Sequence, residues 1–271
     1  MKIISIGEIT VDNYYKQDQT FVGGISLNFA VNAKRCGAET VSLVSCVGTD
    51  SGGQLVLETL AKEQVDYSHV AMIEGETAVC GIEVYENGER VFPEGTYHLN
   101  VLDQLRLTNE IADFILQHDI LVTLFYSVWP QDMTTQLMML TEGKLKRVMD
   151  FGDWSDGNFK EVALPFIESI DLAFLSGDEQ TIEQIRPIAA RVEGLIVVTL
   201  GSGGSCAIQK GRMWRQTAVS VLKVVDTTGC GDGFQAAFTV NYFRHGDIKQ
   251  ALEAGAKHAS KIINHYGAFT Q

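Results

Sequence analysis

The sequence is poor in proline, in paired cysteine motifs and in long apolar runs. Only 4 prolines occur in 271 residues, and because proline interrupts helices and strands, this scarcity is typical of a well-packed globular chain. The five cysteines form no Cys-x-x-Cys pair and no zinc-like spacing, which indicates reduced thiols and predicts a cytoplasmic protein. No apolar segment approaches the roughly 20 residues that cross a bilayer, so we expect no membrane partner.

Positive charge is also scarce. Lys and Arg total 21 against 34 Asp and Glu, and the formal net charge is −13. We therefore expect no nucleic-acid partner, because phosphate backbones bind basic surfaces. A nucleotide is not excluded, because it binds together with Mg²⁺ and because the charges near its site matter more than the net charge of the whole chain. The 26 glycines exceed an average composition and indicate many turns or close approaches of the backbone to a ligand.

The predicted elements alternate between strands and helices, which is the signature of a mostly parallel α/β sheet. The short apolar run of residues 1–7 predicts a buried first strand rather than a signal peptide. The alternation is interrupted near Asn87-Gly88, a dipeptide that predicts a β-hairpin. We expect one domain over residues 1–271, with a small projecting β-sheet, here called the lid, contributed by about 13–21 and 78–93.

A glycine-rich stretch, residues 226–234, carries the strongest chemical signal. The β-branched segment 219–225 before it predicts a strand, and helical spacing after it predicts a helix that opens near Cys230. A helix N-terminus offers unpaired N–H groups, and the glycines remove the side chains that would keep a phosphate away. Because Asp232 repels an anion, its use would be to take a proton from a nucleophile that attacks the phosphate. On this stretch alone, an ordinary first-turn acid remains an open alternative.

Three other phosphate-binding motifs do not fit the sequence. There is no Gly-x-x-x-x-Gly-Lys-Ser/Thr of a P-loop NTPase. Gly229-x-Gly231 partly matches a dinucleotide fingerprint, but Phe234 occupies the third glycine position. This stretch also lies late in the chain rather than after the first strand. The His-Arg-Asp and Asp-Phe-Gly patterns of protein kinases are missing as well.

The motifs as a set resemble those of the ribokinase (PfkB) family of carbohydrate kinases along nearly the whole chain. The elements that carry the resemblance are, in order, Gly7 with Asp12, Gly23-Gly24 with Asn28 and Ala30, Gly48 with Asp50, Thr199-Leu200-Gly201 with Gly204, and residues 226–232. The resemblance implies a ribokinase-like three-layer sandwich with a central mostly parallel sheet and a small β-sheet lid. It also implies that ATP, with Mg²⁺, donates its γ-phosphoryl group to a sugar hydroxyl. Two positions depart from the family pattern, because Cys230 replaces the usual Ala and Ser176 replaces the Asn of an Asn-x-x-Glu element.

The resemblance further implies roles for individual residues. Phosphoryl transfer would depend on Asp232 as the general base and on the N–H groups of Gly229, Cys230 and Gly231. The sugar would be held by Asp12, Gly23, Gly24 and Asn28. The nucleotide would be lined by Thr199, Gly201 and Gly204 at its phosphates and by Asn264 at its adenine. Glu179 would bind Mg²⁺ through water, and the loop around Asp226 and Thr228 resembles the family's monovalent-cation site, which would take K⁺.

Within the family, the chain is similar to kinases that phosphorylate fructosamines such as fructoselysine on the 6-hydroxyl. The segments that carry this likeness are 89–92, 150–154, 171–174 and 265–268. A secondary amine is cationic near neutral pH, and an acid-rich rim of the pocket would suit it, for which Glu8, Glu94 and Asp153 are the candidates. The alternatives that stay open are ribokinase, fructokinase or nucleoside kinase activity, and a non-catalytic sugar or nucleotide sensor. The alternating apolar residues of the lid predict a homodimer formed through it.

Overall fold

The computed structural model describes residues 1–125, 131–140, 144–154 and 160–270, which form two β-sheets and the helices packed on them. In chain order the strands are β1 (Lys2–Ile6), β2 (Thr10–Tyr14), β3 (Gln19–Gly23), β4 (Thr40–Gly48), β5 (Asp66–Ile73), β6 (Val79–Val84), β7 (Arg90–Val91), β8 (Tyr97–His98), β9 (Ile120–Leu124), β10 (Lys146–Asp153), β11 (Leu172–Ser176), β12 (Leu195–Thr199), β13 (Ser205–Gln209) and β14 (Arg212–Gln216). The helices are α1 (Ile25–Arg35), α2 (Ser51–Lys62), α3 (Asn109–Ile115), α4 (Gln131–Met139), α5 (Lys160–Ile167), α6 (Glu179–Ala189), α7 (Cys230–His245) and α8 (Ile248–Ile262).

The larger sheet has nine strands in the order β14-β13-β12-β11-β10-β9-β1-β4-β5. The strands from β12 to β5 run parallel, because helices connect them and return the chain to the same edge. The hairpin of β13 and β14 closes one edge in the antiparallel direction. The carboxyl ends of the parallel strands therefore lie along one edge of the sheet, which is where ligands bind in open α/β folds.

Helices cover both faces of this sheet. In β1, Ile3 packs into a core that includes residues of α1, α2, α7 and α8. Its neighbours Ile4 and Ile6 point the other way, into a second core that includes residues of α3 to α6. Since successive side chains of a strand face opposite sides, the isoleucines at successive positions of β1 require burial on both faces of the sheet. The arrangement is the three-layer α/β sandwich that was predicted, and that prediction is confirmed.

The smaller sheet is built from the two segments predicted for the lid and from short strands that follow them. Its order is β3-β2-β6, with β7 and β8 both antiparallel on the far edge of β6. A separate core around Tyr14 and Ile82 holds it together. The hairpin at Asn87-Gly88 forms as predicted, and Gly88 takes the left-handed φ of +83° that its turn requires. The sheet begins earlier than residue 13, because β2 starts at Thr10 and includes Asp12.

The predicted strand at 219–225 is wrong. The structure has no strand between the end of β14 at Gln216 and the start of α7. The N–H groups of Val225 and Asp226 donate instead to the carbonyl of Ile263, at the end of α8, over 2.7 and 3.4 Å. Leu222 is fully exposed. The β-branched residues favour extended backbone, but this segment pairs with no strand of either sheet, so the local preference does not make it a strand.

The described residues contain no helix that combines the length and the apolar character needed to cross a bilayer. Their longest helix, α7, has 16 residues and carries Asp232 in its first turn. All five cysteines are free thiols. Cys46, Cys80 and Cys206 are buried.

Candidate active site

The first turn of α7 lies at the edge of a cavity of about 1000 Å³ at the carboxyl ends of β11 and β12. Gly229 precedes the helix with φ of +71°, and a Cβ there would lie 2.1 Å from the Cβ of Ala268. Glycine is therefore required at this position by both conformation and space. Cys230 and Gly231 line the cavity, and a Cβ built on Gly231 would meet nothing within 4 Å. The first turn of the helix thus borders open space that can hold an anion.

Asp232 lies in the same turn and contacts α1. Its Oδ2 accepts a hydrogen bond of 2.8 Å from Nδ2 of Asn28. Burial raises the pKa of Asp232 to about 7, and the charges of Asp150 and Glu8 add to the rise. The hydrogen bond from Asn28 and the charge of Arg90 oppose it. A carboxylate with a pKa near neutrality is suited to accept a proton at the pH at which most enzymes operate.

Asp12, on β2, is a buried carboxylate near the half-buried Asp232. Its Oδ1 accepts a hydrogen bond of 2.7 Å from the hydroxyl of Thr10. Burial raises its pKa to about 7, and the negative charges of Glu8, Asp232 and Asp226 contribute. On the paired strand β3, a Cβ on Gly23 would lie 2.0 Å from Oδ2 of Asp12. Gly23 is therefore glycine because the Asp12 carboxylate needs its space.

Gly24 follows at the N-terminus of α1 with φ of +95°. A Cβ on it would lie 2.8 Å from both the carbonyl oxygen of Glu8 and the Cα of Ile9. The Gly23-Gly24 pair thus lets the start of α1 approach the chain that leaves β1. The structure brings Asp12, Asn28 and Asp232 close together, here called the acidic cluster, although they come from β2, α1 and α7.

Two further buried acids, Glu8 and Asp150, lie near Asp232. The sequence had suggested a different position for the first and no role for the second. Glu8 was expected at the rim, but it is buried, and its carboxylate accepts 2.6 Å and 3.0 Å hydrogen bonds from the Tyr97 hydroxyl and the Ile25 N–H. Asp150, on β10, accepts from the N–H of Gly152 over 2.9 Å. Burial raises the pKa of both acids. The signal in the sequence was an acid placed at or just after the end of an apolar strand run.

The carboxylate of Asp226 accepts hydrogen bonds from the protein itself and has no oxygen left for a ligand. Its carboxylate is fully buried and accepts from the hydroxyl of Tyr14 over 2.7 Å and from the N–H of Gly267 over 2.9 Å. The N–H and the hydroxyl of Thr228 donate to its other oxygen over 2.8 and 2.7 Å. Both oxygens are thus occupied by protein donors. A monovalent cation near Asp226 and Thr228 would have to use main-chain oxygens.

The cavity beside the first turn of α7 contains most of the predicted nucleotide residues. Thr199, Gly201 and Gly204 line it, together with an apolar section that includes Val219, Val221, Ala256 and Ile263. Asn264 does not line it. Its side chain is exposed, and its amide Nδ2 donates over 2.6 Å to the carbonyl of Ser260 in the last turn of α8. The residue caps a helix end, and its neighbour Ile263 contacts the cavity instead.

Glu179 also lies outside the cavity lining. It is exposed at the start of α6, where its two carboxylate oxygens accept from Nη1 and Nη2 of Arg215 over 2.6 and 2.7 Å. The preceding Asp178 lines the cavity and caps the helix by accepting from the N–H of Thr181 over 2.8 Å. The assignment of Glu179 to Mg²⁺ therefore stays a prediction, and it requires that the carboxylate leave Arg215.

The described residues contain no group of three His, Cys, Asp or Glu side chains arranged to hold a metal ion. Asp153 and Asp178 do line the cavity. Mg²⁺ in nucleotide sites is usually held by one or two carboxylates, with the substrate phosphates and water completing the shell. The residues present therefore fit a magnesium ion that arrives with the nucleotide.

A three-layer α/β fold with a glycine-rich helix N-terminus beside a half-buried carboxylate is typical of a phosphotransferase. The chain matches the model of the pfkB family carbohydrate kinases over residues 2–271, and it belongs to this family. It is accordingly a carbohydrate kinase that transfers a phosphoryl group to a sugar hydroxyl. The family predicted from the sequence is confirmed.

The chain is also similar to curated relatives over nearly its full length. It is 32% identical to fructoselysine 6-kinase of Escherichia coli (strain K12), over 98% of this chain and 99% of the relative. It is 30% identical to the fructosamine kinase FrlD of Bacillus subtilis (strain 168), over 99% and 93%. The predicted likeness to fructosamine kinases is confirmed.

Solved structures show the same fold at lower identity. An adenosine kinase from Sinorhizobium meliloti superposes with a TM-score of 0.85 at 18% identity and covers 99% of this chain and 95% of its own. The Arabidopsis thaliana ribokinase complexed with ribose and ATP gives a TM-score of 0.78 at 20% identity, over 98% and 94%. At such identity the likeness concerns the fold.

Proposed function

We propose that this kinase transfers the γ-phosphoryl group of ATP to the 6-hydroxyl of a fructosamine such as fructoselysine. The observation that carries the proposal is the position of Asp232, a half-buried carboxylate in the first turn of α7 beside the cavity, with a pKa raised to about 7. The names of the two curated relatives support the acceptor class.

We assign the steps of phosphoryl transfer to the residues of this turn. As the oxygen of the sugar hydroxyl forms a bond to the γ-phosphorus, the bond from that phosphorus to the β–γ bridging oxygen breaks. The hydroxyl proton passes to the carboxylate of Asp232, and ADP leaves with the electron pair. The N–H groups of Gly229, Cys230 and Gly231 would stabilise charge on the phosphoryl oxygens, where positioning and electrostatics supply most of the catalysis. The N–H of Cys230, which donates to the carbonyl of Thr227 over 3.3 Å, would have to exchange that partner for the phosphate. Mg²⁺, when bound with the nucleotide, neutralises phosphate charge.

Asp12 and Asn28 are the residues we assign to the sugar. A carboxylate accepts hydrogen bonds and an amide both donates and accepts them, so together they suit a polyol. Asn28 already donates to Asp232 with its Nδ2, and its buried Oδ1 has no hydrogen-bond partner among the described residues. A substrate hydroxyl could satisfy that oxygen. Gly23 and Gly24 keep the space beside these side chains open.

The acidic side chains around Asp232 support a cationic acceptor. Glu8, Asp12, Asp150 and Asp232 are all buried or partly buried there, and burial raises the pKa of each carboxyl. A secondary ammonium group next to them would favour their charged forms and gain attraction in return. Asp153, which we had expected at the rim, lines the nucleotide cavity instead. Glu94 is exposed, between β7 and β8.

The acceptor can be tested with a panel of fructoselysine, fructose, ribose and a nucleoside, using ATP turnover as the readout. We expect kcat/KM for fructoselysine to exceed that for fructose by roughly tenfold or more, as for other charge-assisted contacts. The gap should shrink at high ionic strength, because salt screens the long-range part of the attraction. Equal or faster phosphorylation of the plain sugars would reject the fructosamine acceptor and leave the family assignment intact.

We further propose that the kinase acts in the cytoplasm, where ATP is available, and that K⁺ activates it through the loop around Asp226 and Thr228. The five free thiols are compatible with a reducing compartment. Titration of the activity with MgCl₂ and with KCl tests both ions. No increase on replacing Na⁺ by K⁺ at constant ionic strength would reject the potassium proposal.

The lid is proposed to form a homodimer. Its strands and turns leave Tyr15, Tyr85 and Phe92 half-exposed, with 50% to 56% of their surface accessible, and exposed aromatic residues are typical of interfaces. We expect light scattering at micromolar concentration to give twice the chain mass, and Phe92→Glu to give the mass of one chain. Met72→Glu, at an equally exposed residue on β5, serves as the control. A wild-type monomer under these conditions would contradict the proposal.

A further inference from the structure

Asn32 is a buried polar residue of α1 that has no part in the motifs or in the reaction described so far. It lies one helical turn after Asn28, the residue that donates to Asp232, and only 1% of its surface is accessible. Its Nδ2 donates to the carbonyl of Asn28 over 2.8 Å and to that of Ala268 over 3.3 Å. A buried amide is costly unless its donors and its acceptor are satisfied. The partners of Asn32 therefore show which groups the fold holds together.

The two carbonyls that Asn32 binds belong to segments that contact α7 at its start. In α1, Asn28 donates from Nδ2 to the carboxylate of Asp232 over 2.8 Å. In the segment that follows α8, Ala268 packs on Gly229, where an added Cβ would lie 2.1 Å from the Cβ of Ala268. Asn32 thus joins the helix that contacts the base to the segment that packs against the glycine before α7.

His258, on α8, completes the contacts of Asn32. Its Nε2 lies 2.7 Å from Oδ1 of Asn32, and its Nδ1 lies 3.6 Å from Sγ of Cys36. Because carbonyl oxygens only accept, the Asn32 amide nitrogen faces the two carbonyls, and Oδ1 has to accept from His258. Nε2 therefore carries the proton, and Nδ1 accepts from the Cys36 thiol. The hydrogen bonds run in one direction, from Cys36 through His258 and Asn32 to the carbonyl of Asn28.

The surroundings of His258 keep its imidazole neutral. Burial lowers its pKa, and the charges of Lys261 and Arg35 lower it further. Burial raises the pKa of Cys36 to about 11, so its thiol keeps the proton that it donates. The ring also packs against α7, because a Cβ on Gly233 would lie 3.2 Å from Cδ2 of His258. That glycine is the next residue after the base, so the imidazole lies beside the backbone that carries the base.

We propose that His258 and Asn32 are positioning residues, which hold Asn28 so that its side chain donates to the carboxylate of Asp232. The proposal rests on the proposed reaction, in which Asp232 is the base, and adds to it two residues that no motif assigned. An amide donor on a carboxylate stabilises its charged form. If α1 shifts against α7, this donor is lost and the sugar contact of Asn28 is misplaced with it. The imidazole keeps its proton throughout the transfer.

The test compares substitutions of His258 that keep or remove the donor at Nε2. His258→Leu should lower kcat by roughly tenfold or more, because a misplaced catalytic group is costly, while KM for MgATP stays at the wild-type value. The midpoint of kcat/KM against pH should move to higher pH, since Asp232 loses the donor that favours its charged form. His258→Gln, whose amide nitrogen reaches the position of Nε2, should restore both. His245→Leu, at an exposed histidine that ends α7, is the matched control.

Nitrogen NMR of protein labelled at histidine tests the contacts without any acceptor. Near neutral pH the imidazole of His258, identified by the loss of its signals in His258→Gln, should be neutral with its proton on Nε2. A proton on Nδ1 would reverse the order of the hydrogen bonds, and a charged ring would leave the Cys36 thiol without its acceptor. Either result would overturn the positioning role.

The kinetic outcomes separate a positioning role from a structural one. A lower melting temperature of His258→Leu with unchanged kcat would make the residue structural only, and a fall in kcat without a shift of the midpoint would show that Asp232 is not what it positions. If His258→Leu does not fold, His258→Asn replaces it, because its shorter amide does not reach Asn32. Equal turnover of His258→Asn and His258→Gln would then reject the proposal. A wrong acceptor leaves these comparisons possible with any sugar that is phosphorylated, whereas a wild-type chain that phosphorylates none would reject the proposed function itself.

Discussion

Replacing Asp232 by Asn should lower kcat by roughly 10² to 10⁴-fold, the usual cost of losing a positioned general base. Asparagine has nearly the same shape, and its carbonyl oxygen can still accept from Asn28, so the pocket should keep its geometry. Removing a negative charge beside the phosphates should leave the affinity for MgATP unchanged or improved. Asp113→Asn, at an exposed acid of α3, is the control. An unchanged kcat in Asp232→Asn would exclude Asp232 as the base.

The pH dependence of the wild-type enzyme belongs to the same prediction. Since the base form of Asp232 is the active one and its pKa is about 7, kcat/KM should rise with pH through that value and level off above it. Asp12, whose pKa is also about 7, titrates with it, so the profile will show the pair rather than one group. A flat profile between pH 5.5 and 8.5, on the order of one and a half units either side of that pKa, would contradict a base of this kind.

The contribution of Asp232 to the stability of the fold should fall as pH rises, whereas kcat/KM should increase. The folded-state pKa of Asp232 is raised from the ordinary 3.8 to about 7, so the folded protein binds more protons than the unfolded chain between these values. Its contribution to stability is therefore greatest below pH 3.8 and is lost as pH rises through about 7. The Asp232→Asn variant avoids that loss. We expect it to melt at a higher temperature than wild type at pH 8, with a smaller difference at pH 5.

Replacing Gly231 by Val should lower kcat by roughly 10² to 10³-fold, comparable to the loss of an oxyanion-hole donor. A side chain at this position projects into the cavity, where its Cβ meets no protein atom within 4 Å, and so takes the space of the phosphoryl group. The fold should tolerate it, because a valine in a helix costs under about 1 kcal/mol relative to alanine. Activity and melting temperature measured together test both parts.

Two related variants sharpen the interpretation of Gly231→Val. Gly231→Ala should give a smaller loss of kcat, since its side chain fills less of the phosphate space. Gly229→Ala should lower the melting temperature as well, because its Cβ would overlap Ala268 and its φ is +71°. Near-normal turnover in Gly231→Val would show that this turn does not contact the phosphate.

The features that could be predicted from the sequence are those that depend on residues close together in the chain. Alternation of apolar strands with amphipathic helices predicted the parallel sheet, and Asn87-Gly88 predicted the hairpin. The glycines around Asp232 predicted a helix start that could admit an anion. In each case the information lies within a few residues, because backbone conformation and helix ends depend mainly on near neighbours. The failed strand at 219–225 marks the limit, since strand propensity needs an available sheet edge.

The partners of individual side chains were decided by the tertiary structure. Glu179 pairs with Arg215, 36 residues away, and Asp226 accepts from Tyr14, which is 212 residues away. The sequence by itself determined the family, the order of the elements and the position of Asp232 in the chain. Only the fold decided that Asn28 meets Asp232 and that His258 meets Asn32. The physical reason is that a side chain's charge, burial and hydrogen bonds depend on what packs beside it, and sequence spacing does not specify those neighbours.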